Sequence, residues 1–195
     1  GAGNNIVFNG VANSVLNTVS NENLRLVAGG GSITAAGAIN LEQVGAGTGD
    51  LTITSALDAT FNGTVDVENF TQTAGTGTTT FNQLFDVETA FAFTGNKLTV
   101  TGAGANDVGT TMTVTNAGIF TLDEGSTLTV GTFNQNGLGN NVIGDDITAD
   151  IAGITFAQQV TLTSGTANDT IVLTSAGGAG NNIVFNGVAN SVLNT

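Results

Sequence analysis

Fifteen carboxylates face only two cations, Arg25 and Lys97, and the chain has no His, Cys or Tyr, so acid–base or metal chemistry would fall to Asp and Glu. The most suggestive set is Asp66, Glu68, Asp86 and Glu88. These residues lie in Thr-Phe-Asn-Gly-Thr-Val-Asp-Val-Glu (60–68), which returns as Thr-Phe-Asn-Gln-Leu-Phe-Asp-Val-Glu (80–88) with six of nine positions matched at an offset of 20. If the two segments are stacked strands, Asp66 lies on Asp86 and Glu68 on Glu88, all pointing away from the valines. Two such charges about 5 Å apart repel by roughly 0.8 kcal/mol in water, and an ion bridging them reverses the sign, so weak calcium binding is expected here. Asp145, Asp146 and Asp150 form a second acidic cluster behind Asn140 and Asn141, without the spacing of an EF-hand loop. Paired acids such as Asp123 and Glu124, or Asp66 and Asp86, are the only candidates for cleaving a polysaccharide. Sugar-cleaving sites also grip their substrate with basic and aromatic groups; Phe is the sole aromatic here, and the chain is expected not to be an enzyme.

The elements that must position these groups are announced by repetition. Residues 1–18 return unchanged as residues 178–195, an offset of 177, which marks 1–177 as one complete tandem period and 178–195 as the start of the next. The offset of 20 is a period inside the period, the length of one coil of a three-faced solenoid with strands of four to six residues. The expected fold is all-β, a parallel β-helix of about nine irregular coils, about 42 Å tall at the usual strand spacing. Phe61, Val65 and Val67 are expected to fill its core above Phe81, Phe85 and Val87. Asn9, Asn62, Asn82, Asn134 and Asn186 each follow a Phe, a placement suited to turns or to stacked amide ladders. No Pro interrupts the chain, as a parallel ladder requires, since every strand amide must donate.

Apolar residues make up 40% of the chain in short alternating runs, enough to order it if the runs stack. The net charge of −13 excludes nucleic acid and anionic membrane as partners and leaves divalent cations as the charged ligand. No segment reads as a membrane span. Ser-Ile-Thr-Ala-Ala-Gly-Ala-Ile-Asn-Leu (32–41), with the Gly29-Gly30-Gly31 turn before it, resembles the degenerate repeats of filamentous-haemagglutinin-like surface proteins. That resemblance implies a right-handed parallel β-helix, secretion from a bacterial cell, and an adhesive or fibre-forming role; it carries over no functional residue. Gly-Thr-Ala-Asn-Asp-Thr-Ile (165–171) resembles one calcium-binding RTX nonapeptide with Ala167 in a glycine position, but as a single copy it has no partner repeat. Threonine pairs at 99/101, 111/113, 127/129 and 161/163 resemble the arrays of ice-binding solenoids, yet their irregular spacing predicts no single aligned face. Sequons at Asn62, Asn69 and Asn168 follow from abundant Asn and Thr.

The expected function is mechanical: a structural repeat of an extracellular fibre, stacked head to tail with identical periods, with neighbouring fibres as the second candidate partner. The alternative is an adhesin module recognising carbohydrate or host matrix.

Overall fold

The structure is a computed structural model that describes residues 3–8, 15–18, 22–41, 49–166, 169–176 and 178–187. Among these residues there is no helix, and every strand pairing is parallel. The chain winds as a β-solenoid of about seven turns, each turn contributing one strand to each of three faces.

The first face is an eight-stranded sheet running from Ile6–Phe8 through Ile33–Ala35, Ala59–Phe61, Thr78–Phe81, Lys97–Val100, Phe120–Leu122 and Asn141–Ile143 to Val160–Leu162. The other two faces belong to one twelve-stranded sheet. In its middle, Val65–Gln72, Phe85–Gly95, Gly104–Asn116 and Ser126–Gln135 each bend round a corner and serve both faces. Toward the ends the columns separate. Ala38–Asn40, Ile147–Ala149 and Leu173–Ser175 continue the second face, while Asp50–Ser55, Ile154–Phe156 and Ile183–Phe185 continue the third.

The coil count corrects the expectation of about nine. Along the first face the registers advance by 27, 26, 20, 19, 22, 21 and 19 residues. After the first two coils the spacing on this face stays at 19 to 22; the first two coils here, and the last steps of 26 and 29 residues on the second and third faces, spend more residues between strands, so fewer turns fit in the same chain.

Alternation drives the winding, because in strands such as Thr78–Phe81 and Phe120–Leu122 every second residue is buried. The predicted core residues Phe61, Val65, Val67, Phe81, Phe85 and Val87 are all at most 1% exposed. They stack as expected: Phe61 on Phe81, Val65 on Phe85 and Val67 on Val87. Phe61 and Phe81 lie nearly parallel at 4.8 Å, and Phe70 and Phe91 do the same at 4.5 Å from the third face. Like therefore rests on like, and each coil's apolar floor is its neighbour's ceiling.

The corner between the second and third faces is not uniform. Val67 and Asn69 pair with Val87 and Ala90, so the next coil holds one extra residue there. Gly109 follows at this corner, where an added Cβ would stand 2.0 Å from the Glu88 carbonyl oxygen; only glycine permits so close a backbone approach.

Candidate functional site

The second face turns an acidic column outward. Its outward register runs Asn40, Asp66, Asp86, Asp107, Thr129 and Thr148, one residue per coil. Asp66 lies over Asp86 as expected, and sequence reasoning missed that Asp107 extends the line, because its coil is 21 residues long rather than 20. Asn40 Nδ2 donates to Asp66 Oδ2 at 3.1 Å. Glu68 and Glu88 share the patch without pairing. The extra residue at the corner inserts Thr89, whose hydroxyl donates to Glu68 Oε1. A shallow cleft of about 220 Å³, lined by Thr64, Asp66, Leu84, Asp86, Ala105 and Asp107 among others, runs beside the column. The carboxylates form a line, and among the described residues no three acidic, His or Cys side chains converge to hold a metal ion.

That line has a pH signature. Desolvation, then the charges of Asp86, Glu68, Asp66 and Asp107, raise the Glu88 carboxyl above its ordinary 4.5. Desolvation, then Asp86 and Asp150, raise Asp107 above its ordinary 3.8. A carboxyl raised in the folded state binds its proton more readily there than in the unfolded chain. Stability from these two groups therefore increases as pH falls through the windows just above 4.5 and 3.8, and the repulsion is fully felt at higher pH. Asp86→Asn, which relieves both groups, is expected to raise Tm by about 1–2 °C at pH 7, less in high salt and not at all near pH 3. A lower Tm at pH 7 in thermal melts would mean that Asp86 makes a favourable contact instead.

Other acidic candidates are spent on the backbone. Asp145 Oδ2 accepts from the Gly125 N–H at 2.8 Å, and Asp146 Oδ1 from the Val172 N–H at 2.6 Å. Each ties one coil to the next, while Asp150 stays exposed. Glu124 Oε1 accepts from the Thr166 hydroxyl at 2.9 Å. In the RTX-like segment, Ala167 and Asn168 lie outside the described residues.

The asparagine expectation divides. Asn82 Nδ2 donates to Asn62 Oδ1 at 2.8 Å, and the Thr101 hydroxyl donates to Asn82 Oδ1 at 3.1 Å, so a short ladder forms at the end of the first face. Asn134 is not at a turn. It lies inside Ser126–Gln135, because the chain continues past Phe133 to bury Gln135. Asn186 follows the strand Ile183–Phe185 and donates its backbone N–H to the Phe156 carbonyl at 2.7 Å. Asn9 lies outside the described residues.

The threonine pairs share no single face, as their spacing predicts: Thr99 and Thr161 lie on the first face, Thr127 and Thr129 on the second, and Thr111 and Thr113 on the third, but each joins other threonines in columns. On the third face the outward register is Arg25, Thr52, Thr71, Ala92, Thr113, Asn134 and Thr155, with Thr94 on Thr115 in the column beside it. Thr34, Thr60, Thr80, Thr99 and Thr121 form another column on the first face. Coils of 19 to 26 residues look irregular along the chain but return each threonine to the same azimuth, because the connections between strands absorb the difference. Beside the third face, at its corner with the first, an open groove of about 630 Å³ crosses four coils. Gly75, Gly95 and Gly137 form part of its wall; Thr73, Thr94, Thr115 and Asn136 line its edge; Leu138, 83% exposed, stands at one end. No charged side chain lines it.

The chain matches no protein family, no curated protein and no solved structure. Function must therefore be argued from the faces themselves.

Polar residues inside the coil are the feature sequence reading missed most completely. Gln72, Asn106, Asn116, Gln135 and Asn141 are at most 2% exposed. Gln135 Nε2 donates to Asn116 Oδ1 at 2.7 Å and to the Gly139 carbonyl at 3.1 Å. Its Oε1 accepts from the N–H groups of Ala157 at 3.0 Å and Gln158 at 3.3 Å. One visible signal existed: Gln72 and Gln135 each fall two residues after a buried Phe, at an inward position of the alternation.

Proposed function

We propose that this chain is a structural repeat of an extracellular fibre, secreted to the surface of a bacterial cell and extended by identical periods stacked head to tail. The observation that carries the proposal is the second copy of the opening stretch. Ile183–Phe185, identical to Ile6–Phe8, lies on Ile154–Phe156 as the next parallel rung of the same sheet. A solenoid whose sequence begins again while its ladder is still being extended has a direct route to greater length. Its acidic second face supports solubility and opposes sideways clumping. Calcium entering that face would bridge successive rungs, as two carboxylates of a line can. No catalytic step belongs to this reading.

The test is the mass of the fully denatured native polypeptide. A value many times the 19.3 kDa of this chain is expected for a covalent array. A value near 19.3 kDa, with isolated particles in electron micrographs, would overturn the fibre; the same mass with end-to-end filaments would make the repeated ends a polymerisation interface.

One observation favours a second reading, an adhesin module for carbohydrate or host matrix. The groove beside the third face offers hydroxyls and amides on a regular spacing without charge, on a protein of net charge −13. Retention of the folded protein on a neutral polysaccharide matrix is its readout.

A further inference from the structure

The two copies of the opening stretch do not occupy equivalent places. Ile6–Phe8 belongs to the first face, paired with Ile33–Ala35, whereas Ile183–Phe185 belongs to the third face, paired with Ile154–Phe156. Counting strand by strand, the path from one copy to the other covers seven turns and two of three faces. Resting on the tandem reading above, we infer that a period spans seven and two-thirds turns, so each period is set back one face, about a third of a turn, relative to the one before it.

The junction strand itself supports this. Superposing the copies gives the shared Ile-Val-Phe a partner on each edge: Ile-Thr-Phe (154–156) behind it and Ile-Thr-Ala (33–35) ahead. Register is kept across both edges. Ile183 meets Ile154 and Ile6 meets Ile33, giving an unbroken inward isoleucine column, while the outward positions read Thr155, Val and Thr34. Phe185 already stacks on Phe156, with ring centroids 5.6 Å apart and planes 12° from parallel. Ile183 and Phe185 are 36% and 46% exposed, which is the apolar surface that the next coil would cover. A period of whole turns would instead place Ile183–Phe185 on the first face, over Val160–Leu162.

The consequence is a threefold display. On one side of the fibre the acidic face of one period is followed by the threonine-bearing third face of the next, then by the first face of the third, before the acidic face returns. No side carries a continuous negative stripe, and every side presents the groove once in three periods. A partner binding along the fibre, including a second fibre, would meet the same sequence of surfaces from any of three directions.

Helical reconstruction of the native fibre by electron cryomicroscopy tests it. The expected result is an axial rise of about 37 Å per period with a rotation of about a third of a turn, giving a true repeat of about 110 Å. A similar rise without rotation would overturn the face shift while leaving the tandem array intact. Absence of any axial repeat in this range would overturn the array itself, and the inference with it.

Discussion

Phe81→Ala is expected to lower stability by about 4 kcal/mol, near the upper part of the range for large-to-small core changes. Phe81 is fully buried and its ring touches four others: Phe61 at 4.8 Å, Phe85 at 5.1 Å, Phe70 at 5.3 Å and Phe91 at 5.8 Å. Those rings come from all three faces and from adjacent coils. Shrinking Phe81 therefore opens a cavity that cannot collapse without breaking the strand registers that hold its neighbours. Because stability in a solenoid passes from coil to coil, the damage should centre on the coils above and below, and Thr60–Phe61 and Thr99–Val100 should lose amide-exchange protection before the strand Asn141–Ile143 does. Denaturant unfolding with hydrogen exchange reads both effects. A loss under about 1 kcal/mol would mean that the phenylalanine column is not closely packed.

Gln135→Leu is expected to cost about 3 kcal/mol or more, although leucine is the more apolar side chain and the site is wholly buried. The amide is a hub. Removing it strips partners from Asn116 Oδ1, from the carbonyls of Gly137 and Gly139, and from the Gln158 N–H, all inside the corner where three coils meet. Leaving several buried polar groups unpaired outweighs the gain from burying extra methyl groups. Asn134→Ser, one residue earlier but facing outward on the third face, should change stability by less than about 0.5 kcal/mol. Similar losses for both variants in chemical denaturation would contradict the inward network.

Much of this molecule was legible from its residues alone. The 20-residue echo at 60–68 and 80–88 determined which side chains stack and which point out, since a period of two along each strand and a matched register between strands leave little freedom. The core at Phe61, Val65, Val67, Phe81, Phe85 and Val87 follows from that echo, as does the placing of Asp66 on Asp86. The same offset of 20, the length of one solenoid coil, pointed to the all-parallel architecture, and the lack of proline permits it.

The rest depended on how the coils close on one another, wherever they differ in length. One residue added at the corner after Val87 put Thr89, rather than Glu88, beside Glu68, and brought Asp107 into the acidic line. Loops of unequal length aligned threonines whose positions along the chain look unrelated, and the same inequality moved the second copy of the opening stretch onto another face. Gln135 follows Asn134, which the sequence suits to a turn, and nothing in a local pattern says that three backbone groups from later in the chain will close around it. A strand's own residues determine which side is buried. Which strands become neighbours depends on the summed lengths of every loop before them, and that sum is resolved only when the coil closes on its neighbour.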